Sequence, residues 1–135
     1  MTLRSSPAAL RNREPIADVL TDILPARGRV LMIAEGSGEH AVHFAERFPQ
    51  LSWLPTDTDP EALATIAARQ EAATSSNLEA PRELNAAAAG WPVETAAAIV
   101  CINMIHISPW SATSGLMRGA GRLLAPGSPL ILYGP

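Results

Sequence analysis

Short apolar runs and amphipathic segments follow one another along the chain, and this alternation predicts strands separated by helices. A weak strand is expected at about 80–85, where Pro81 permits only an edge position. Strands that alternate with helices predict an α/β fold, an open and mostly parallel Rossmann-like sheet of five strands with helices on both faces. The other four strands are the apolar runs at about 29–34, 51–56, 97–103 and 130–133.

The chain is expected to begin with a loose tail over residues 1–10, followed by a single domain over residues 11–135. Apolar residues recur at helical spacing over 16–24, with Pro15 suited to a first turn and Pro25 just past the end. A first helix is therefore predicted directly before the first strand.

Three further helices are predicted between the strands. The first of them carries an apolar face and stops at Pro49, and the second starts with Asp59 as its capping residue. A helix at about 111–124 is weakened by three glycines. The residues of the Asp59-capped helix that should face the core are Leu63, Ile66 and Ala67.

The charge and cysteine content exclude several function classes. The formal net charge is −3, and the basic residues form no stripe, so no nucleic-acid partner is expected. Cys101 is the only cysteine, which rules out an internal disulfide, and its apolar run indicates a buried thiol. Residues 95–117 carry no charged side chain, but Asn103 and Pro109 interrupt them, so no membrane span is expected. The N-terminus resembles no signal peptide, and a cytoplasmic protein is predicted.

The candidate chemistry is concentrated where the first strand meets the next helix. Gly36 and Gly38 form a glycine turn at this junction, and Asp57 closes the second strand 19 residues beyond Gly38. In this order the turn lets the backbone approach a ligand, and the acid can accept hydrogen bonds from a ribose. The pattern predicts a nucleoside-containing cofactor, whereas the glycines alone would serve equally well in a tight turn.

The histidines and one asparagine leave their roles open. His40 and His43 are spaced i, i+3 without a third ligand, so no metal site is expected, and both are predicted to be half-buried or exposed helix residues. His106 follows a buried strand, in the loop that should face a substrate, where a pocket role and a structural role are both reasonable. Asn103 ends that strand and could bind a ligand or satisfy a buried backbone group.

Five segments together resemble the class I S-adenosylmethionine-dependent methyltransferases, and more closely the uncharacterised methyltransferase-like protein 26 family. Any one of the segments is weak, but they cover most of the chain in the right order. They are RNREPI (11–16), the glycine turn with HAVHFAE (40–46), residues 55–61, CINMIHISPW (101–110), and the closing Leu-x-Pro-Gly turn into LILYGP (130–135).

The resemblance implies S-adenosylmethionine as the cofactor and a role for each matching position. Asp57, with Thr58 beside it, would bind the ribose, and Asn85 would lie near the adenine. Asn103 to His106 would line the pocket that faces the methyl group and the substrate, with no catalytic residue assigned. The turn under the methionine part would be formed by Ala34, Glu35, Gly36, Ser37 and Gly38.

The chain departs from the family pattern at three acidic positions, and the resemblance implies that it is shortened after the fifth strand. Met32, Asn85 and Ala97 stand where acids are expected. Each acid that contacted the cofactor would have contributed a charge-assisted hydrogen bond of about 1.5–3 kcal/mol. The last strand should be an exposed apolar edge, which predicts self-association of the chain through that strand.

Three functions fit the sequence. The first is an S-adenosylmethionine-dependent methyltransferase, with a small molecule favoured as its acceptor because no basic patch is present. A non-catalytic binding or interaction module on a degenerate methyltransferase fold is the alternative, supported by the lost acids. A nicotinamide-dependent oxidoreductase also remains, since Gly36-x-Gly38-x-x-Ala41 satisfies the dinucleotide fingerprint.

Overall fold

A five-stranded sheet forms the centre of the computed structural model, which describes residues 6–135. The strand order is β3-β2-β1-β4-β5, and every neighbouring pair is parallel. The predicted α/β fold class is therefore confirmed. In chain order the elements are α1 (Pro7–Ile23), β1 (Gly28–Ile33), α2 (Glu39–Arg47), β2 (Leu51–Asp57), α3 (Pro60–Ala72), β3 (Arg82–Glu83), β4 (Ala98–Ile102), α4 (Trp110–Leu123) and β5 (Leu130–Tyr133).

The core has two layers because β1 is buried on both faces. Val30 and Met32 pack toward α1 and α2, while Leu31 and Ile33 pack toward α4. Successive side chains of a strand point to opposite faces, so a continuous apolar run supplies both layers. Because β1 is the central strand of the sheet, its carboxyl end lies between those of β2 and β4.

The N-terminal helix starts earlier than the sequence predicted. Residues 1–5 of the predicted tail lie outside the described residues, but α1 already begins at Pro7. The Ser6 hydroxyl accepts a hydrogen bond from the backbone N–H of Ala9 at 3.2 Å, which caps the helix. Pro15 lies inside the helix instead of in its first turn, where it removes the bond to the carbonyl of Arg11. Arg11 is exposed, so water can satisfy that carbonyl.

The prediction for the core-facing residues of α3 is confirmed only in part, whereas the weak strand predicted at about 80–85 is present. Ile66 is buried as predicted, whereas Leu63 and Ala67 are only half-buried because α3 turns Ala62 and Thr65 inward beside Ile66. The weak strand exists as the two-residue β3 at the sheet edge. None of the helices formed by residues 6–135 is long and apolar enough to cross a membrane.

Two glycines of α4 let the loop that follows β3 pack closely against this helix. A Cβ on Gly115 would collide with the carbonyl oxygen of Ala86, and one on Gly119 would collide with the Trp91 ring. The loop after β3 therefore packs directly on the α4 backbone. Gly115 and Gly119 have low helix propensity, but a larger residue at either position would collide with the loop. Their contacts position the loop that carries Asn85.

Candidate functional site

The carboxyl ends of β1 and β4 carry two unusual backbone conformations. Ala34 directly follows β1 and Asn103 directly follows β4, and each has φ of 57°. A non-glycine residue in this left-handed region costs on the order of 1 kcal/mol, although asparagine tolerates it better than alanine. Such strain clusters at ligand sites, and both residues line cavities at this edge of the sheet.

The glycine turn has one open and one packed position. A Cβ atom on Gly36 (φ 70°) would have no heavy atom within 4 Å, so a ligand can approach the backbone there. Gly38 (φ 82°) would place a Cβ 3.3 Å from Ile66, and it serves as the N-cap of α2 without a side-chain cap. The turn therefore offers its open side at Gly36, while Gly38 packs the turn onto α3.

Asp57 holds the turn against the second strand. Its Oδ2 accepts a hydrogen bond from the backbone N–H of Gly36 at 2.9 Å. Its Oδ1 accepts from the backbone N–H groups of Thr58 at 2.8 Å and Asp59 at 3.0 Å. A carboxylate has about four acceptor positions, so three are occupied and one remains for a ligand hydroxyl. Asp57 is thus a structural clamp as well as a candidate ribose ligand.

A first cavity of about 310 Å³ lies beside Asp57. Asp57, Thr58 and Asn85 supply polar groups to its lining, together with apolar walls from the strand ends and the start of α4. Asn85 Oδ1 accepts a hydrogen bond from the backbone N–H of Ala87 at 2.9 Å, which orders the loop above the cavity. The cavity combines apolar walls with a carboxylate and an amide, a lining that suits a nucleoside.

A second cavity of about 270 Å³ lies on the other side of Ala34 and contains two buried polar side chains. Glu35 is 8% exposed, and its Oε1 accepts a hydrogen bond from the backbone N–H of Ala41 at 3.1 Å. Burial raises the pKa of Glu35 to about 8, with smaller contributions from the charges of Asp57 and Glu39. The carboxyl group is therefore mostly neutral at pH 7 in the free protein.

His40 is the other buried polar side chain of the second cavity. It is 5% exposed, and burial lowers its pKa to about 4, so the ring is neutral. Its Nδ1 atom is buried and has no hydrogen-bond partner within residues 6–135. Buried polar atoms in native proteins usually have a partner, so Nδ1 is an unsatisfied polar atom on a side chain that lines the second cavity.

A third cavity of about 570 Å³ adjoins the second through Asn103. Arg11 and Asn12 of α1 line it together with His106 and Tyr133. Ala34 joins the first cavity to the second in the same way. The three cavities thus lie side by side along the carboxyl ends of the strands, and "the groove" denotes this set of cavities below.

The structure places most of the sequence-predicted residues in the groove. Asp57, Thr58 and Asn85 lie together in the first cavity. Asn103 lies between the second and third cavities, and His106 lines only the third. Gly38 is the exception, since it lines none of these cavities. The remaining turn residues, Ala34, Glu35, Gly36 and Ser37, line the second cavity.

Sequence reasoning missed one polar side chain of the second cavity and named another only as part of the glycine turn. Glu35 was expected to contribute only as part of the turn, and His40 only as a half-buried or exposed helix residue. Both are buried in the second cavity. The available signal was a carboxylate directly after an apolar strand, where a neutral small residue would satisfy the turn equally well.

Solved structures with the same fold include several methyltransferases. The glycopeptide N-methyltransferase MtfA matches with a TM-score of 0.76 at 16% identity, over 96% of this chain and 61% of its own. Coclaurine N-methyltransferase, bound to N-methylheliamine and SAH, matches with a TM-score of 0.72 at 15% identity, over 89% of this chain and 35% of its own. The PH0226 protein from Pyrococcus horikoshii OT3 matches with a TM-score of 0.79 at 18% identity, over 96% and 59%.

These likenesses confirm the class I methyltransferase fold, and the chain spans only about a third to three fifths of the three proteins. A family model described as "Protein of unknown function (DUF938)" matches residues 3–135. The narrower resemblance to the methyltransferase-like protein 26 family stays a prediction. Because the match extends over nearly the whole sequence, the chain belongs to the DUF938 family of proteins of unknown function.

Proposed function

We propose that the protein binds S-adenosylmethionine in the groove and transfers its methyl group to a small molecule. The observation that carries the proposal is the adjacency of two cavities that share Ala34 as a wall, a nucleoside-like cavity at Asp57 and a polar cavity at Glu35. A nucleoside linked to an amino acid has this order of parts. The solved structure of coclaurine N-methyltransferase with SAH supports the same use of the fold.

The residues of the first cavity suit the nucleoside. Asp57 has one acceptor position left for a ribose hydroxyl, and the apolar walls formed by Ile33, Leu84 and Met104 exclude water from the base. Asn85 offers an amide at the rim. S-adenosylmethionine supplies an activated methyl group on a sulfonium, so the protein mainly has to bind and orient the two reactants.

The third cavity is the proposed acceptor site. The described residues that line it include Arg11, Asn12, His106 and Tyr133 but no acid. This lining suits a neutral or anionic small molecule. His106 is exposed there and is placed to contact the acceptor, without an assigned role in proton transfer.

The second candidate function is a binding module that self-associates through β5. This strand pairs only with β4 among the described strands, and Leu132 and Tyr133 on it are 40% and 41% exposed. An unpaired apolar edge can accept the strand of a second copy. Sedimentation at high concentration separates the alternatives, since a strictly monomeric profile removes the main support for the module.

Calorimetry with S-adenosylhomocysteine tests the proposed function, with NADH as the comparison ligand. Micromolar binding of S-adenosylhomocysteine alone is expected, because the cavity next to the nucleoside-like one is small and polar and suits an amino acid. Asp57→Asn should weaken binding about 10-fold or more, the loss expected for a charge-assisted hydrogen bond. Asp22→Asn is the matched control, since Asp22 is exposed on α1 away from the groove. Equal binding by both variants would remove Asp57 from the site, and no binding by the unaltered chain would refute the proposal.

A further inference from the structure

We propose that the methyl acceptor is a small organic carboxylate, whose charged group binds to Arg11 and whose apolar part packs on Ile107 and Tyr133 in the third cavity. This inference rests on the proposed function and deepens it, because it names the class of substrate. It also gives the N-terminal helix a part in recognition, since Arg11 lies on α1.

The first support is a set of hydrogen-bond donors in the third cavity. Arg11, Asn12 and Asn103 all line it. Within residues 6–135, none of these three side chains is hydrogen-bonded to another residue. An arginine carries five N–H donors in a planar fork that matches a carboxylate, and each side-chain amide adds two more donors. These donors are therefore available to a ligand group that is rich in acceptors.

The second support is the distribution of charge around Arg11. No acidic side chain lines the third cavity among the described residues. The next two acids along α1, Glu14 and Asp18, pair with Arg47 of α2 at 2.7 Å and 3.3 Å. Arg11 itself forms no ion pair within the described part of the chain. It supplies one fixed positive charge, which matches a carboxylate with one negative charge better than a phosphate with two.

The third support is apolar surface on the same cavity. Ile107 is 75% exposed and Tyr133 is 41% exposed, and both line the third cavity. Single exposed apolar residues are ordinary, but these two share a cavity with an arginine that has no ion-pair partner among the described residues. An apolar ligand group in contact with them would remove this surface from water. The lining therefore fits a ligand with a charged end and an apolar body, and a volume of about 570 Å³ suits a small molecule.

The place of the third cavity suits an acceptor. Asn103 and Ile107 line both the second and the third cavity, so a ligand in the third cavity lies next to a ligand in the second. Arg11 lines only the third of these cavities. Substitution of Arg11 should therefore weaken acceptor binding and leave cofactor binding unchanged.

The test uses the chain saturated with S-adenosylhomocysteine and follows the backbone amide NMR signals of Asn12 and Ile107 while a probe is added. The probes are phenylacetate and phenylacetamide, which have nearly the same shape and differ in charge. Phenylacetate should bind about 5-fold more tightly than phenylacetamide, a modest preference because Arg11 is exposed and water screens its charge. Acetate lacks the apolar part and should bind at least about 5-fold more weakly than phenylacetate.

Variants then assign the preference to one side chain. Arg11→Gln should abolish the preference for phenylacetate and keep the affinities for phenylacetamide and S-adenosylhomocysteine within about two-fold of those of the unaltered chain. Arg27→Gln is the matched control, because Arg27 is exposed in the loop before β1 and lines none of the three cavities. It should keep the preference for phenylacetate.

The contrary outcomes are distinct from one another. Equal binding of phenylacetate and phenylacetamide by the unaltered chain would refute the inference without any variant, and equal binding of acetate and phenylacetate would refute the apolar contact. A preference that persists in Arg11→Gln, or a loss of S-adenosylhomocysteine binding in that variant, would also overturn the role of Arg11. If the unaltered chain does not bind S-adenosylhomocysteine in the first titration, the proposed function fails and the inference fails with it.

Discussion

Burial of Glu35 should cost the protein stability, and the cost should grow as the pH rises. Its pKa is 4.5 when unperturbed and about 8 in the folded protein, so folding favours the protonated form. The group is neutral in both states below pH 4.5. Between pH 4.5 and 8 the unfolded chain loses its proton and the folded chain keeps it, so stability falls with rising pH and levels off above pH 8.

The size of this effect follows from the two pKa values. The free-energy cost of keeping the proton is about 1 kcal/mol at pH 5 and about 3 kcal/mol at pH 7. Glu35→Gln removes the titration and keeps an oxygen for the N–H of Ala41. Burying the new amide changes the stability by the same amount at every pH, so only the change with pH reports on the carboxyl group.

Urea denaturation at pH 5, 6, 7 and 8 measures this difference. The free energy of unfolding of Glu35→Gln relative to the unaltered chain should rise by about 2 kcal/mol between pH 5 and 7. Glu46→Gln, the matched control at an exposed position near the far end of α2, should follow the unaltered chain throughout. A relative stability of Glu35→Gln that stays constant or falls over this range would show that Glu35 ionises freely in the folded protein.

Three further predictions concern the scaffold. Gly115→Ala should lose about 1–3 kcal/mol because its Cβ collides with the loop, whereas Gly121→Ala, which faces open space, should be neutral or stabilising by up to about 1 kcal/mol, both by thermal unfolding. Ser6→Ala should lose about 1 kcal/mol with its cap, and a change of less than about 0.3 kcal/mol would contradict capping by Ser6. Cys101, whose pKa burial raises to about 12, should react with a thiol reagent at pH 8 only after denaturation, and rapid labelling of the native chain would contradict its burial.

The sequence predicted the strands well because local pattern and final environment agree there. The run at 130–133 is strand β5 with the same bounds, and the edge position expected from Pro81 is that of β3. The start of α1 was predicted too late because proline was interpreted as a first-turn residue. A proline within a helix is tolerated when the carbonyl oxygen that loses its hydrogen bond is exposed to water. That exposure depends on the tertiary structure and cannot be inferred from the local sequence.

The candidate site could be predicted only in outline. The glycine turn and Asp57 follow from spacing, and both lie in the groove. The placement of the Glu35 side chain depends on the left-handed conformation of Ala34, which breaks the alternation of the strand before it. An alanine gives no sequence signal of positive φ, since this conformation is normally left to glycine or asparagine.

An NMR titration of the ¹⁵N-labelled chain with S-adenosylhomocysteine tests the central claim most directly, because it reports where the ligand binds. The backbone amide signals of Glu35, Gly36, Thr58 and Ala87 should shift together and saturate, while that of Asp22, on α1 away from the groove, should stay in place. No shift at millimolar ligand, or shifts confined to residues outside the groove, would contradict the assignment of the groove as the S-adenosylmethionine site.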